Sequence, residues 1–357
     1  MRAFPLAALL LSLFLASACT PRMIAPGPAV QTPLMTADHL QMTDGAILPL
    51  RSWHPDGPPK AVILALHGFN DYSEAFETPG RYFAKHGILT YAYDQRSFGD
   101  APHHGIWPGT EGLVGDLRTA TELVRRRHPH LPLIVLGESM GGAVVMAALG
   151  QHALPKVDGI VLVSPAIWSR EVMPAWQRTA LNIAAHSIPA MQFTGGDLGK
   201  IPSDNIAMLR KLSRDKKVIK WTRVDAIYGL VNLMDAAYDA APALHGNVLI
   251  LFGDKEDILP ETAMAKFEQH LPSGSCGIRL ATYKSGFHML LRDLKAKIVL
   301  RDIVTWVGNA QAALPSGSEQ PLTSYALAER TVPGKEGDGA MTLHALNCRS
   351  PQRHARP

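Results

Sequence analysis

Short apolar runs recur along the chain at 61–66, 88–93, 133–136, 160–163, 247–253 and 277–283. Each has the length of a strand, and most lack the polar alternate positions of a half-exposed one, as expected where helices cover both faces of a sheet. Helical spacing fills the intervals. Leu113, Leu117, Ala120 and Val124 fall on one face of a helix predicted at 111–127, and further helices are predicted at 82–86, 143–149, 260–271 and 290–313. Ahead of the first run, segments 39–42 and 46–53 flank Asp44-Gly45, which predicts a hairpin. Strand and helix in alternation predict an α/β domain with a predominantly parallel central sheet flanked by helices and joined by right-handed crossovers.

One interval breaks the alternation. Residues 166–243 hold no strong strand but many large apolar side chains among Pro and Gly, which predicts an inserted helical cap. Its Trp168, Trp176, Met191 and Phe193 are too many for a solvated excursion, so some are expected to line an apolar pocket above the strand that ends at Val163. The Pro-rich stretch 20–37 reads as a flexible tether, and the Gly, Ser, Pro, Glu and Arg content of 315–357 reads as a disordered tail, leaving a folded domain at 38–314.

Composition narrows the function. With 357 residues, 46% of them hydrophobic, the chain can bury one large core. A net charge of +4 on only 18% charged residues, without a dense Lys/Arg block, excludes a nucleic-acid footprint. Cys19, Cys276 and Cys348 show no metal-ligand spacing, so neither a structural zinc nor a disulfide framework is expected. Arg2, an apolar run at 6–15 and Ala16-Ser17-Ala18 form a secretory signal at 1–19, too short to span a bilayer as a mature helix.

The chemistry centres on Gly137-Glu138-Ser139-Met140-Gly141, placed between an apolar strand and a run of small helix-compatible residues. That arrangement is a nucleophile elbow: at so tight a strand-to-helix turn a Cβ at 137 or 141 would clash, and the turn lifts the serine hydroxyl clear of the sheet. Serine needs a base, and the base needs an acid to fix its tautomer. Both are expected downstream on loops leaving strand ends. His288, in Ser285-Gly286-Phe287-His288, follows the last strand and is the candidate base. The acid lies in Asp254-Lys255-Glu256-Asp257, where the spacing from Gly253 and Pro260 favours Glu256 and leaves Asp257 as the competitor. The N–H groups of Phe69 and Met140 are the candidate oxyanion donors. His67 and the Asp94-Gln95-Arg96 turn read as braces of the oxyanion loop.

The segments HGFNDYSEAF, YDQRSFG, GIWPG, GESMGG and SGFHMLLRD, in this order, resemble the monoacylglycerol lipase and lysophospholipase branch of the α/β-hydrolases, also grouped with serine aminopeptidase-like hydrolases. The likeness covers about residues 38–310. It implies an α/β-hydrolase fold and a serine hydrolase of carboxylic esters that needs no metal or organic cofactor, its substrate a small lipid-like ester. A small-ester esterase or a serine aminopeptidase is the alternative, and a non-catalytic envelope binding protein the contrasting class. Glu256 stands where the family mostly carries aspartate, and Ser97 where it usually carries glycine. The N-terminus resembles a bacterial lipoprotein signal, which implies lipidation of Cys19 and a membrane-anchored protein of the cell envelope, or a secreted one if Cys19 is not lipidated.

Overall fold

The computed structural model describes residues 20–195, 199–272 and 277–320, so the signal with Cys19, and also Cys276 and Cys348, lie outside the described residues. The chain opens with three strands, β1 (Leu34–Met35), β2 (His39–Gln41) and β3 (Ile47–Trp53), then alternates: β4 (Ala61–Leu66), α1 (Glu77–Lys85), β5 (Ile88–Tyr93), α2 (Thr110–Arg127), β6 (Leu133–Glu138), α3 (Met140–Gly150) and β7 (Gly159–Val163). An excursion follows with α4 (Ala175–Ser187), β8 (Gln192–Thr194), α5 (Ile206–Arg214) and β9 (Trp221–Arg223). The alternation resumes through α6 (Val224–Asp239), β10 (Val248–Gly253), α7 (Glu261–His270), β11 (Ile278–Tyr283), α8 (Ala296–Gly308) and β12 (Glu319–Gln320).

Ten strands form one sheet in the order β1-β2-β3-β5-β4-β6-β7-β10-β11-β12. The six from β5 to β11 in that order run parallel. Successive side chains of these strands enter two different cores. Val62, Leu64 and Leu66 join Val135, Leu162 and Ile250 on the face covered by α2, α3, α6 and α7. Ile63, Ala65, Leu136, Val161 and Leu251 join Phe83, Val299, Ile303 and Trp306 on the face covered by α1 and α8. Two-sided burial is why these strands read as apolar runs. Parallel pairing in register sets the carboxyl ends of β4, β6, β10 and β11 along one edge, where the loops with the candidate chemistry emerge.

Four expectations need correction. The insertion is not purely helical, because β8 and β9 pair as a small antiparallel ribbon with Phe193 opposite Thr222. It also ends near Arg223 rather than 243: α6 places Leu233, Ala237 and Tyr238 in the sheet core against α3, as the crossover helix between β7 and β10 must. Residues 20–33 are a strap rather than a free tether. Lacking a ladder of its own, this Pro-rich segment finds partners on the domain: Ile24 N–H donates to the Trp107 carbonyl (3.0 Å), Gly27 N–H to Asp44 Oδ2 (3.1 Å) and Val30 N–H to the Thr43 carbonyl (2.8 Å). At the other end, order persists past 315, since β12 pairs antiparallel with β11 and Glu319 accepts from Arg279 Nε at 2.7 Å.

Where strand β6 turns into α3, the backbones touch. A Cβ on Gly137 would meet the Gly141 carbonyl carbon at 2.5 Å, and one on Gly141 would penetrate the Leu66 carbonyl. Gly115, at an exposed position of α2 between buried Val114 and Asp116, has nothing near its missing Cβ. Gly141→Ala is therefore expected to cost about 2 kcal/mol or more, while Gly115→Ala stabilises by about 0.5–1 kcal/mol. Urea unfolding midpoints of the two variants check the contrast; equal shifts would contradict the packing described.

Candidate active site

Ser139 occupies the left-handed region, φ 52° and ψ −115°, which an L-residue holds only under constraint. The constraint is a set of backbone bonds: its N–H donates to the Val163 carbonyl (2.9 Å), and its own carbonyl accepts from Ala143 (3.1 Å) and Ala166 (3.0 Å). The hydroxyl is thereby presented above the sheet edge. The loop after β4 passes directly over it, so that a Cβ on Gly68 would lie 3.3 Å from Ser139 Cβ.

Two loops bring the partners. His288 Nε2 lies 3.0 Å from Ser139 Oγ, and His288 Nδ1 lies 2.8 Å from Glu256 Oε2. A carboxylate only accepts, so the Nδ1 carries the proton and Nε2 is free to take one from the serine. Glu256 Oε1 accepts the N–H groups of Ile258 (2.8 Å) and Leu259 (3.1 Å), which leaves the side chain one orientation. Burial pushes Glu256 up, but the adjacent imidazole and the two backbone donors outweigh it and hold the carboxyl below the usual range. Burial likewise pulls His288 down, yet the charge and hydrogen bond of Glu256, with Glu138 behind, leave it above the ordinary histidine value.

Asp257 does not reach the imidazole. Its neighbour's side chain turns inward, so Asp257 faces out and accepts from Lys200 Nζ (2.7 Å) and the Ile201 N–H (3.1 Å), tying the cap to this loop. Asp254 instead braces the histidine loop by accepting the Ser285 N–H at 2.6 Å.

Met140 is the first residue of α3, so its N–H is one of the helix's unpaired donors, and no acceptor for the Phe69 N–H is found among the described residues. The arrangement offers two N–H groups and a helix N-terminus to a developing anion beside Ser139. His67 is buried, and burial depresses its basicity. Its Nδ1–H donates to the Gly68 carbonyl (2.8 Å) and its Nε2 accepts the Gln95 N–H (3.0 Å), so it shapes the loop from below. Arg96 forks between Asp44 and Asp116, bracing the next turn. The cap also grips this loop: Asn70 Nδ2 donates to Thr222 Oγ1 at 2.6 Å, and the Ile219 N–H to the Asn70 carbonyl at 3.0 Å.

The four large cap residues separate. Trp168 packs half-buried against the core, whereas Trp176, Met191 and Phe193 are exposed, with Trp176 69% accessible. The crevice beside Phe69 is lined instead by Phe98, Ile106, Trp107, Ile219 and Ala226, and its free space, about 10 Å³, holds about one water. Sequence reasoning did not single out Arg292, Asp71 and Glu138, which form a buried ion cluster beneath the site. Their signal was a charge inside otherwise apolar surroundings, as in Val-Leu-Gly-Glu and Met-Leu-Leu-Arg.

A family model described as serine aminopeptidase, S33, matches residues 57–295. Among curated proteins, a monoacylglycerol lipase of Mycolicibacterium smegmatis is 26% identical over 267 residues, covering 71% of this chain and 90% of that one. A monoglyceride lipase of Rattus norvegicus is 24% identical over 285 residues, covering 78% and 92%. Among solved structures, a soluble variant of monoglyceride lipase from Saccharomyces cerevisiae, in complex with a substrate analog, superposes with a TM-score of 0.65 at 20% identity, covering 79% of this chain and 97% of that one.

Removing the Glu256 charge in Glu256→Gln is expected to lower the His288 titration, because burial and the Arg292 charge are then opposed only by Glu138, while Asp257→Asn leaves it in place. Ring-nitrogen NMR across pH reads both. A fall in Asp257→Asn and none in Glu256→Gln would reverse the assignment of the two carboxylates.

Proposed function

The chain belongs to the serine aminopeptidase, S33, family and is a carboxylic ester hydrolase, and we propose that its substrates are single-acyl lipids of the monoacylglycerol or lysophospholipid type, cleaved through an acyl-Ser139 intermediate. The observation that carries the mechanism is the unbroken line from Glu256 through His288 to Ser139 at 2.8 and 3.0 Å. Ser139 Oγ attacks the ester carbonyl carbon while its proton passes to His288 Nε2, and Glu256 stabilises the imidazolium through Nδ1–H. The tetrahedral oxyanion sits against the Phe69 and Met140 N–H groups. As the carbonyl re-forms, the C–O bond to the alcohol breaks and the alcohol leaves with the proton from Nε2. Water then attacks the acyl-serine by the same route, releasing the acid and restoring Ser139.

The lipid substrate is supported by the cap surface and by the relatives. Of fourteen exposed large apolar side chains among the described residues, eight lie in the cap: Trp176, Ile183, Ile188, Met191, Phe193, Ile201, Ile206 and Trp221. Apolar exposure concentrated in this way marks a surface that meets something apolar. In the same reading Cys19 carries lipid and holds the protein at a membrane. Its following strap is pinned to the first turn of α6, where the Arg22 N–H donates to Asp225 Oδ2 at 3.1 Å. Replacement of Cys19 by Ala is expected to release the protein from the membrane fraction and to remove an acyl mass increment; a variant that still sediments with membranes, unchanged in mass, would contradict the anchor.

Chain-length dependence tests the substrate class. The crevice beside Phe69 holds about one water, so an acyl chain must part the cap from it; each methylene then buried contributes about 0.8 kcal/mol, and four added carbons are expected to raise kcat/KM by roughly two orders of magnitude until the opened space is full. The series is measured on monoesters from acetate upward, with Ser139→Ala as the inactive control. A flat series on an enzyme that hydrolyses acetate well would favour a small-ester or peptide substrate.

A further inference from the structure

The turn that follows His288 carries an arginine for which acyl transfer has no direct use. Arg292 is buried, and its guanidinium donates from Nη1 to Asp71 Oδ2 (2.7 Å) and from Nη2 to Glu138 Oε2 (3.3 Å). Asp71 lies two residues beyond Phe69, Glu138 immediately precedes Ser139, and Arg292 is four residues past His288. One side chain thus joins the three loops that bear the oxyanion donor, the nucleophile and the base. Asp71 passes the constraint on, since its N–H donates to the Gly68 carbonyl (3.3 Å) and its Oδ1 accepts the Tyr72 N–H (2.9 Å), closing the turn around Phe69.

Stability explains this cluster poorly. Burying three charged groups costs as much hydration as their attraction returns, and apolar side chains of the same volume commonly hold a core as well. Glu138 Oε1 and Arg292 Nε even lack a hydrogen-bond partner among the described residues. What the cluster does is fix geometry and set a field. The charged groups facing His288 are Glu256 on the loop after β10, Glu138 at the end of β6 and Arg292 on its own turn; the carboxylates favour the imidazolium and the guanidinium opposes it.

We propose that Arg292 is a positioning residue for ester hydrolysis, holding the Phe69, Ser139 and His288 loops in one register and offsetting the buried charge of Asp71 and Glu138 next to the base. The inference rests on the ester-hydrolase reading. Without the guanidinium, the carboxylates act on His288 unopposed, the imidazolium is favoured, and the neutral base forms only at higher pH. Without the Glu138 charge the reverse holds.

The test follows fluorophosphonate inactivation rate against pH, with kcat and KM on a short ester, for the full chain and for Arg292→Gln, Arg292→Lys and Glu138→Gln. Arg292→Gln is expected to lower kcat about 10²-fold with KM little changed, as displaced catalytic groups do, and to move the acid limb to higher pH. Glu138→Gln should move that limb to lower pH. Arg292→Lys should restore the limb but only part of kcat, since an ammonium cannot fork between two carboxylates. Coincident acid limbs in all folded variants, or full kcat in Arg292→Gln, would overturn the proposal while leaving the hydrolase reading intact. If Arg292→Gln fails to fold, an unmoved limb in Glu138→Gln with full kcat in Arg292→Lys overturns it equally. No inactivation of the wild-type chain, or the same inactivation in Ser139→Ala, would overturn the hydrolase reading itself and this proposal with it.

Discussion

A serine held at φ 52° and ψ −115° is the constraint on which the rest of the molecule depends. Such a conformation costs on the order of 1–3 kcal/mol and persists only where its surroundings over-determine it. Here the surroundings are the sheet itself. Parallel strands β4, β6 and β7 fix where the elbow begins, the Val163 carbonyl receives the Ser139 N–H, and glycine at 137 and 141 lets α3 start almost in contact with β4. Strain at one residue is thus opposed by two cores, and the hydroxyl has no other place to go.

The same levelled edge makes Glu256 and His288 converge. Gly253 and Gly286 let the loops after β10 and β11 approach so closely that a Cβ on the first would collide with the carbonyl of the second, and Lys255 N–H donates to that carbonyl at 2.8 Å. Glu256 and His288 are therefore set by backbone contacts between two loops rather than by their side chains alone. The cap is fastened to each of these loops in turn, through Asn70 and Thr222 on one side and through Lys200 and Asp257, or Ser203 and Asp293 (2.6 Å), on the other. A displacement of the cap would be felt at the Phe69 loop and at the His288 turn.

Much of this was legible in the residues. The central strands were, because burial on both faces leaves uninterrupted apolar runs, and so was the elbow, because its glycines answer to a steric demand that no other residue meets. Three-residue strands β8 and β9 carry too little pattern to be seen, and α6 read as cap because its apolar face resembles any other helix until its neighbour α3 is known. Strap 20–33 was misread for a related reason: proline removes the donors that mark regular structure, while the acceptors on Trp107, Asp44 and Thr43 are distant in sequence. Between Glu256 and Asp257 only the turn of the loop decides, and spacing could do no more than favour one. Arg292, Asp71 and Glu138 are separated by up to 221 residues, so their pairing has no local signature at all.

The central claim is that Ser139 is the nucleophile of an acyl-transfer reaction driven by His288. Its most direct test is peptide mass mapping of the full chain after reaction with a fluorophosphonate. The account predicts one stoichiometric adduct on the peptide that contains Ser139, absent in His288→Ala under the same exposure. An adduct on another residue, or none on folded protein, would contradict it.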